Sequence, residues 1–174
     1  MTAFRRWWPG GQFVLLGLAI VSAGTFARAA WVRGESMAPT LADGQLLLVE
    51  SASYRFRRPA RGDVVVVRLR TDQWLFAELA GGQFVKRVVG LPGDAIEVRQ
   101  GQVRVNGRGP EEPYASARVA QDIELVVVPP GAYYLLGDNR AASDDSRVWG
   151  PVPHGQILGR AWLALWPLGR GRVL

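Results

Sequence analysis

From residue 45 to residue 166 the chain is a series of short runs rich in Val, Ile and Leu, each closed within a few residues by Gly, Pro or Asp. β-Branched side chains suit a pleated, half-buried surface, and such frequent turn residues stop a helix before it propagates. No amphipathic helix of any length competes with these runs. The pattern predicts an all-β fold, a compact antiparallel domain of the sandwich or barrel kind. Strands are expected at 45–50, 63–69, 83–89, 95–99, 102–105, 123–128, 132–136 and 156–166. Gln100-Gly101 has the length of a hairpin turn, and Asn106-Gly107 is a second turn signal. Residues 107–121 are polar and contain Pro, which predicts a surface loop; its length is near the limit for an unstructured connection, so a specificity role and simple mobility both stay open.

At 174 residues and 48% hydrophobic, the chain has material for one sizeable core plus an appendage. A formal charge of +6 would suit nucleic acid or an anionic membrane surface. The basic residues are mostly single Arg among valines and leucines, with Arg57-Arg58 and Arg68-x-Arg70 the densest groups, so no nucleic-acid stripe is present and no nucleic-acid partner is expected. There is no cysteine, which removes thiol nucleophiles, cysteine metal sites and disulfides together. The single histidine, His154, lies in Pro-Val-Pro-His-Gly, a surface-turn sequence, and one histidine cannot build a multi-histidine metal site. Neither a metal nor another cofactor is expected.

The N-terminal end has a different character. Arg5-Arg6 and Trp7-Trp8 precede an uncharged run over 13–27 that Arg28 ends. Fifteen helical residues reach only about 22 Å, against roughly 30 Å of bilayer hydrocarbon. Counting from Trp7 supplies the length, with tryptophans at headgroup level and Arg28 able to snorkel. One N-terminal transmembrane helix within an anchor over 1–32 is therefore expected, followed by a β-rich domain over 33–174. The competing reading is a cleaved signal peptide, with Ala27-Arg28-Ala29 as its small-x-small site. Arginines on both flanks leave orientation undecided by charge.

Three segments carry residues that a plain β-sheet does not need: Gly34-Glu35-Ser36-Met37-Ala38-Pro39-Thr40-Leu41, Phe84-Val85-Lys86-Arg87-Val88-Val89-Gly90-Leu91-Pro92-Gly93-Asp94, and Gly137-Asp138-Asn139-Arg140-Ala141-Ala142-Ser143-Asp144-Asp145-Ser146-Arg147. With Arg61-Gly62-Asp63-Val64-Val65 as a fourth box, their order resembles the type I signal peptidases, serine/lysine proteases of bacterial membranes. That resemblance implies Ser36 as nucleophile, Lys86 as general base and Ser143 as the hydroxyl that orients the lysine. It also implies Asp145 and Arg147 as a supporting ion pair and no cofactor, while Asp138, Asn139 and Arg140 read as loop scaffold. Some members place a serine for the oxyanion two residues before the nucleophile; Gly34 stands there, which leaves the Ser36 N–H as the main donor.

The chemistry is consistent with these roles. A lysine acts as base only when neutral, so its pKa must fall from about 10.4 toward roughly 7–8, which desolvation achieves. Strand alternation puts Phe84, Lys86 and Val88 on one face and Val85, Arg87 and Val89 on the other. Arginine stays protonated and is excluded as base by its chemistry alone. Ser146 is a rival to Ser143, set aside only on spacing within the box.

The resemblance further implies signal-peptide-bearing preproteins as substrates, read through small residues by shallow apolar pockets, with Met37, Leu41 and Phe84 as wall candidates. A single-pass location in the cell membrane follows, with the catalytic domain on the extracytoplasmic side and the lipid bilayer as a partner. Trp162, Trp166 and Leu168 fit either the bilayer interface or the core. Three other readings stay open: a repressor-cleavage type of serine/lysine peptidase, a relative dedicated to a conjugation or pilus substrate, and an inactive membrane-tethered β module that binds peptides.

Overall fold

The computed structural model describes residues 27–69, 82–109, 111–116, 119, 122–166 and 172–174. Among them the strands are β1 (Ala27–Trp31), β2 (Leu46–Glu50), β3 (Val64–Arg68), β4 (Gln83–Gly90), β5 (Ala95–Arg99), β6 (Gln102–Val105), β7 (Ile123–Val127), β8 (Ala132–Leu136), β9 (Val152–Pro153), β10 (Ile157–Trp166) and β11 (Arg172–Val173). The larger sheet runs β1-β2-β10-β3-β4-β8-β9, with β11 paired to β10, and the smaller runs β6-β5-β7. Every ladder is antiparallel. One short α-helix, α1 (Ser146–Trp149), and two 3-10 turns, Ser53–Arg55 and His154–Gln156, stand among them.

Strand β3 shows why the valine runs take this form. Val64 and Val66 join one apolar cluster, with Val32, Met37, Leu41, Leu47, Val49, Ala161 and Ala164. Val65 and Val67 join another on the opposite face, with Val88, Tyr133, Leu135 and Val152. A strand covered on both faces reads as an unbroken apolar run, as Val64-Val-Val-Val67 does. A third cluster packs the small sheet through Ile96, Val98, Val103 and Val105 against Val89, Ala132, Tyr134 and Leu136 of β4 and β8. Close approach there excludes a side chain at Gly90, where a Cβ would lie 2.7 Å from that of Tyr134.

Apart from one-residue differences at strand ends, two features depart from the sequence expectation. Ala27–Trp31, assigned to the anchor, is strand β1, paired in register with β2 from Ala27↔Glu50 to Trp31↔Leu46. Alanines have little β preference, so only the partner strand makes this segment extended. Among the described residues the sheet thus includes Ala27–Trp31, and Val32 is already core. The helix expected over the N-terminal stretch lies outside the described residues, as does Leu168; no described helix is long and apolar enough to cross a membrane. Second, β9 and β11 are two-residue strands too short to leave a periodic signal.

Candidate active site

The Ser36 turn follows β1 and is built by its buried neighbours. Gly34 takes a φ of +78°, a value L side chains rarely adopt, and its N–H donates to Asp43 at 2.7 Å. The Ala38 N–H donates to the Glu35 carbonyl at 3.0 Å and the Leu41 N–H to the Met37 carbonyl at 2.8 Å. Met37 and Leu41, each 1% exposed, plug into the cluster beneath. Ser36 beside them is half-buried and lines the groove described below.

Lys86, on β4 opposite Val65, donates to Ser36 Oγ at 2.7 Å. It is 2% exposed, and its Nζ lies 5.9 Å from the Phe84 ring centroid and 5.8 Å from that of Trp149. Burial lowers its pKa to about 8; the negative charges of Asp145 and Asp144 oppose the shift without cancelling it. At that value a usable neutral fraction exists near pH 7. Arg87 turns the other way. It forms a two-pronged pair with Asp138 at 2.8 and 2.6 Å, donates to the Gly62 carbonyl at 2.9 Å and stacks 3.9 Å from the Tyr114 ring centroid.

The segment after β8 supplies the third side of the site. The Asn139 N–H donates to the Ser36 carbonyl at 3.0 Å, joining the loop to the serine turn. Gly137 is needed where they touch: a Cβ there would fall 2.5 Å from the Ser36 carbonyl oxygen and 2.6 Å from the Ser143 Cβ. Asp145, fully buried, accepts from the Gly137 N–H at 3.0 Å and pairs with Arg147 at 2.7 and 2.8 Å. Arg147 in turn donates to the carbonyls of Arg140 and Ser143 at 2.7 and 2.9 Å. The expected ion pair is thus the clamp of the loop.

Ser143 Oγ is buried beside Gly137 and makes no hydrogen bond, so its expected link to Lys86 is not formed in this arrangement. Its rival Ser146 is occupied, accepting the Leu135 N–H at 2.9 Å. Among the described residues no acceptor takes the Ser36 N–H, which keeps that donor available, whereas the Gly34 N–H is spent on Asp43.

A groove of about 340 Å³ opens onto the serine and lysine. Ala29, Ala30, Trp31 and Val32 wall one side, Gln83, Phe84 and Val85 the other, with Met37 below. Two of the three expected wall residues, Met37 and Phe84, are there. Leu41 is not: it is core, and its part is to hold the turn. Alanines make the β1 wall shallow, which suits small apolar side chains and an extended peptide lying between strands.

The family model described as signal peptidase, peptidase S26, matches residues 6–166. The chain belongs to the signal peptidase family. A protein of Synechocystis sp. named Probable signal peptidase I-2 is 42% identical over 95% of this chain and 79% of its own length. A signal peptidase I of Leptolyngbya laminosa is 39% identical over 89% of this chain and 78% of its own. Thylakoidal processing peptidase 1 of Arabidopsis thaliana is 34% identical over 89% of this chain, which amounts to 46% of that protein. A crystal structure of a signal peptidase I from Enterococcus faecalis aligns at 30% identity and a TM-score of 0.48, covering 60% of this chain and 97% of that one. As a member of the signal peptidase family, the chain is a serine endopeptidase.

Sequence reasoning missed several residues of this signal peptidase site. Trp149 against Lys86 had no signal, because α1 is one turn long and carries no periodicity. Gly137 looked like a turn residue, and its role appears only where two loops meet.

Proposed function

We propose that this peptidase removes N-terminal signal peptides from exported preproteins, with Ser36 as nucleophile and Lys86 as general base. The observation that carries the assignment is the 2.7 Å bond between Lys86 Nζ and Ser36 Oγ, made by a lysine whose burial lowers its pKa to about 8. Neutral Lys86 takes the proton as Ser36 Oγ attacks the scissile carbonyl, and the ammonium then returns it to the departing amine. Water, deprotonated by the same lysine, releases the acyl group. The Ser36 N–H points to the developing oxyanion as donor. Small substrate residues before the cut fit the alanine-walled groove. Ser143, whose buried hydroxyl has no hydrogen-bond partner, is the residue assigned to orient Lys86 during the reaction. The stretch from Trp7 through the uncharged run over 13–27 supports a membrane anchor, and action on exported preproteins requires the catalytic domain on the extracytoplasmic side.

Cleavage of a preprotein in detergent by wild type, Ser36→Ala and Lys86→Ala tests the proposal. Wild type is expected to cut after a small-x-small sequence, and each variant to lose at least roughly a thousandfold in rate. Full rate in either variant rejects the mechanism. The repressor-cleavage reading gives way to family membership, and a binding-only module would leave all three proteins inactive.

A further inference from the structure

The polar stretch left open by the sequence touches both the serine turn and the 137–147 loop, through Ser116. The Ser116 N–H donates to the Asp138 carbonyl at 2.8 Å, and its own carbonyl accepts the Arg140 N–H at 3.2 Å, so it forms a parallel bridge across Asn139. On its other side Asn139 donates to the Ser36 carbonyl. The Ser116 hydroxyl reaches further, donating to the Ala38 carbonyl at 3.1 Å, two residues beyond the nucleophile. The same oxygen lies 3.4 Å from the Asp138 carbonyl, a longer and weaker alternative.

Nearby residues hold this stretch in place. Glu112 pairs with Arg140 at 2.7 Å, and Arg140 also donates to the Gly137 carbonyl at 3.1 Å. Tyr114 covers the guanidinium of Arg87, the neighbour of Lys86 on β4. Two loops that contribute the serine and its support are thus strapped by a third segment, none of whose described residues lines the groove.

We propose that Ser116 is a positioning residue of the peptidase, its hydroxyl fixing the Ser36–Ala38 turn against the 137–147 loop so that Ser36 Oγ stays aimed at the scissile carbonyl. It rests on the assignment of Ser36 as nucleophile. Without the hydroxyl the backbone bridge to Asp138 and Arg140 survives, so the fold is kept, but the turn samples orientations in which Ser36 cannot attack. Small displacements of a reacting group are costly, and one neutral hydrogen bond corresponds to roughly five- to tenfold in the competent fraction. The loss falls on kcat, because the walls that bind peptide are β1 and β4.

The experiment compares Ser116→Ala, Ser116→Val and Ser116→Thr in the full chain, with active sites counted by a serine-directed acylating inhibitor. Thr and Val have nearly the same shape and differ in the hydroxyl, which separates the bond from packing. Expected is a roughly five- to tenfold drop in kcat per titrated site for Ala and Val with KM unchanged, and Thr within about twofold of wild type. Wild-type kcat per titrated site in Ala and Val, a loss confined to KM or to the number of titratable sites, or a Thr variant as slow as Val overturns the proposal. Wild-type cleavage with an inactive Ser36→Ala establishes the parent assignment separately.

Discussion

Lys86 is useful as a base only while neutral, and three influences compete over its charge. Desolvation disfavours the ammonium and is the largest; Asp145 and Asp144 favour it. The Phe84 and Trp149 rings also favour it, but their centroids lie nearly 6 Å from Nζ, at the outer edge of the range for such contacts. Their larger effect is to exclude water. The acidic limb of the rate profile is therefore expected at an apparent pKa of about 8, rate rising with pH as Lys86 loses its proton. In Trp149→Ala, water reaches the ammonium, the pKa climbs toward its ordinary value and the limb moves alkaline by about one unit, a tenfold loss near neutrality. A limb that stays put would show that Trp149 does not shield the lysine. Alternation in the sequence had left Lys86 and Arg87 level, and only chemistry separated them. In the fold each side chain goes to its own face, Arg87 toward Asp138 and Lys86 toward Ser36.

At the scale of elements, the segment from Gly137 to α1 works as one unit because Asp145 serves it at several points. Its carboxylate accepts the Gly137 N–H and the Arg147 N–H, the latter as N-cap of α1, and neutralises the Arg147 side chain, itself largely buried. Asp145→Ala leaves that guanidinium without its counter-charge, at a cost of about 3 kcal/mol or more. Urea unfolding should report it, and a loss under about 1 kcal/mol would mean that the pair is dispensable. The sequence marked this box as a loop with an acid and an arginine. It carried no sign that the arginine would tie the Arg140 and Ser143 carbonyls, since such bonds depend on how the chain returns on itself. Strand β1 was illegible for a related reason: its extended form is imposed by β2.

For the molecule as a whole, a buried lysine is a stability cost accepted for activity. The unfolded chain holds its Lys86 proton up to about pH 10.5, whereas the folded state gives it up near 8. Below pH 8 the full penalty therefore applies, and between about 8 and 10.5 it is relieved, so stability contributed through this group rises with pH across that window. Lys86→Met, which keeps a long unbranched side chain and removes the charge, is expected to be inactive yet to melt several degrees higher at pH 7, the gap narrowing as pH approaches 10.5. Calorimetry across pH checks both; a variant no more stable than wild type at pH 7 contradicts the linkage.

The all-β class and most strand positions were legible in the sequence, because apolar periodicity and turn residues are local properties, whereas Ser36, Lys86, Ser143, Asp145 and Arg147 were singled out through the family resemblance that their boxes carry. What tertiary structure alone decided is which of those residues meet. Strand pairing places Lys86 beneath Ser36, leaves the Ser143 hydroxyl buried without a partner, sends Leu41 into the core and brings Trp149 and Ser116 to the site. These contacts join segments distant in the chain, and no local pattern encodes a distance across a sheet.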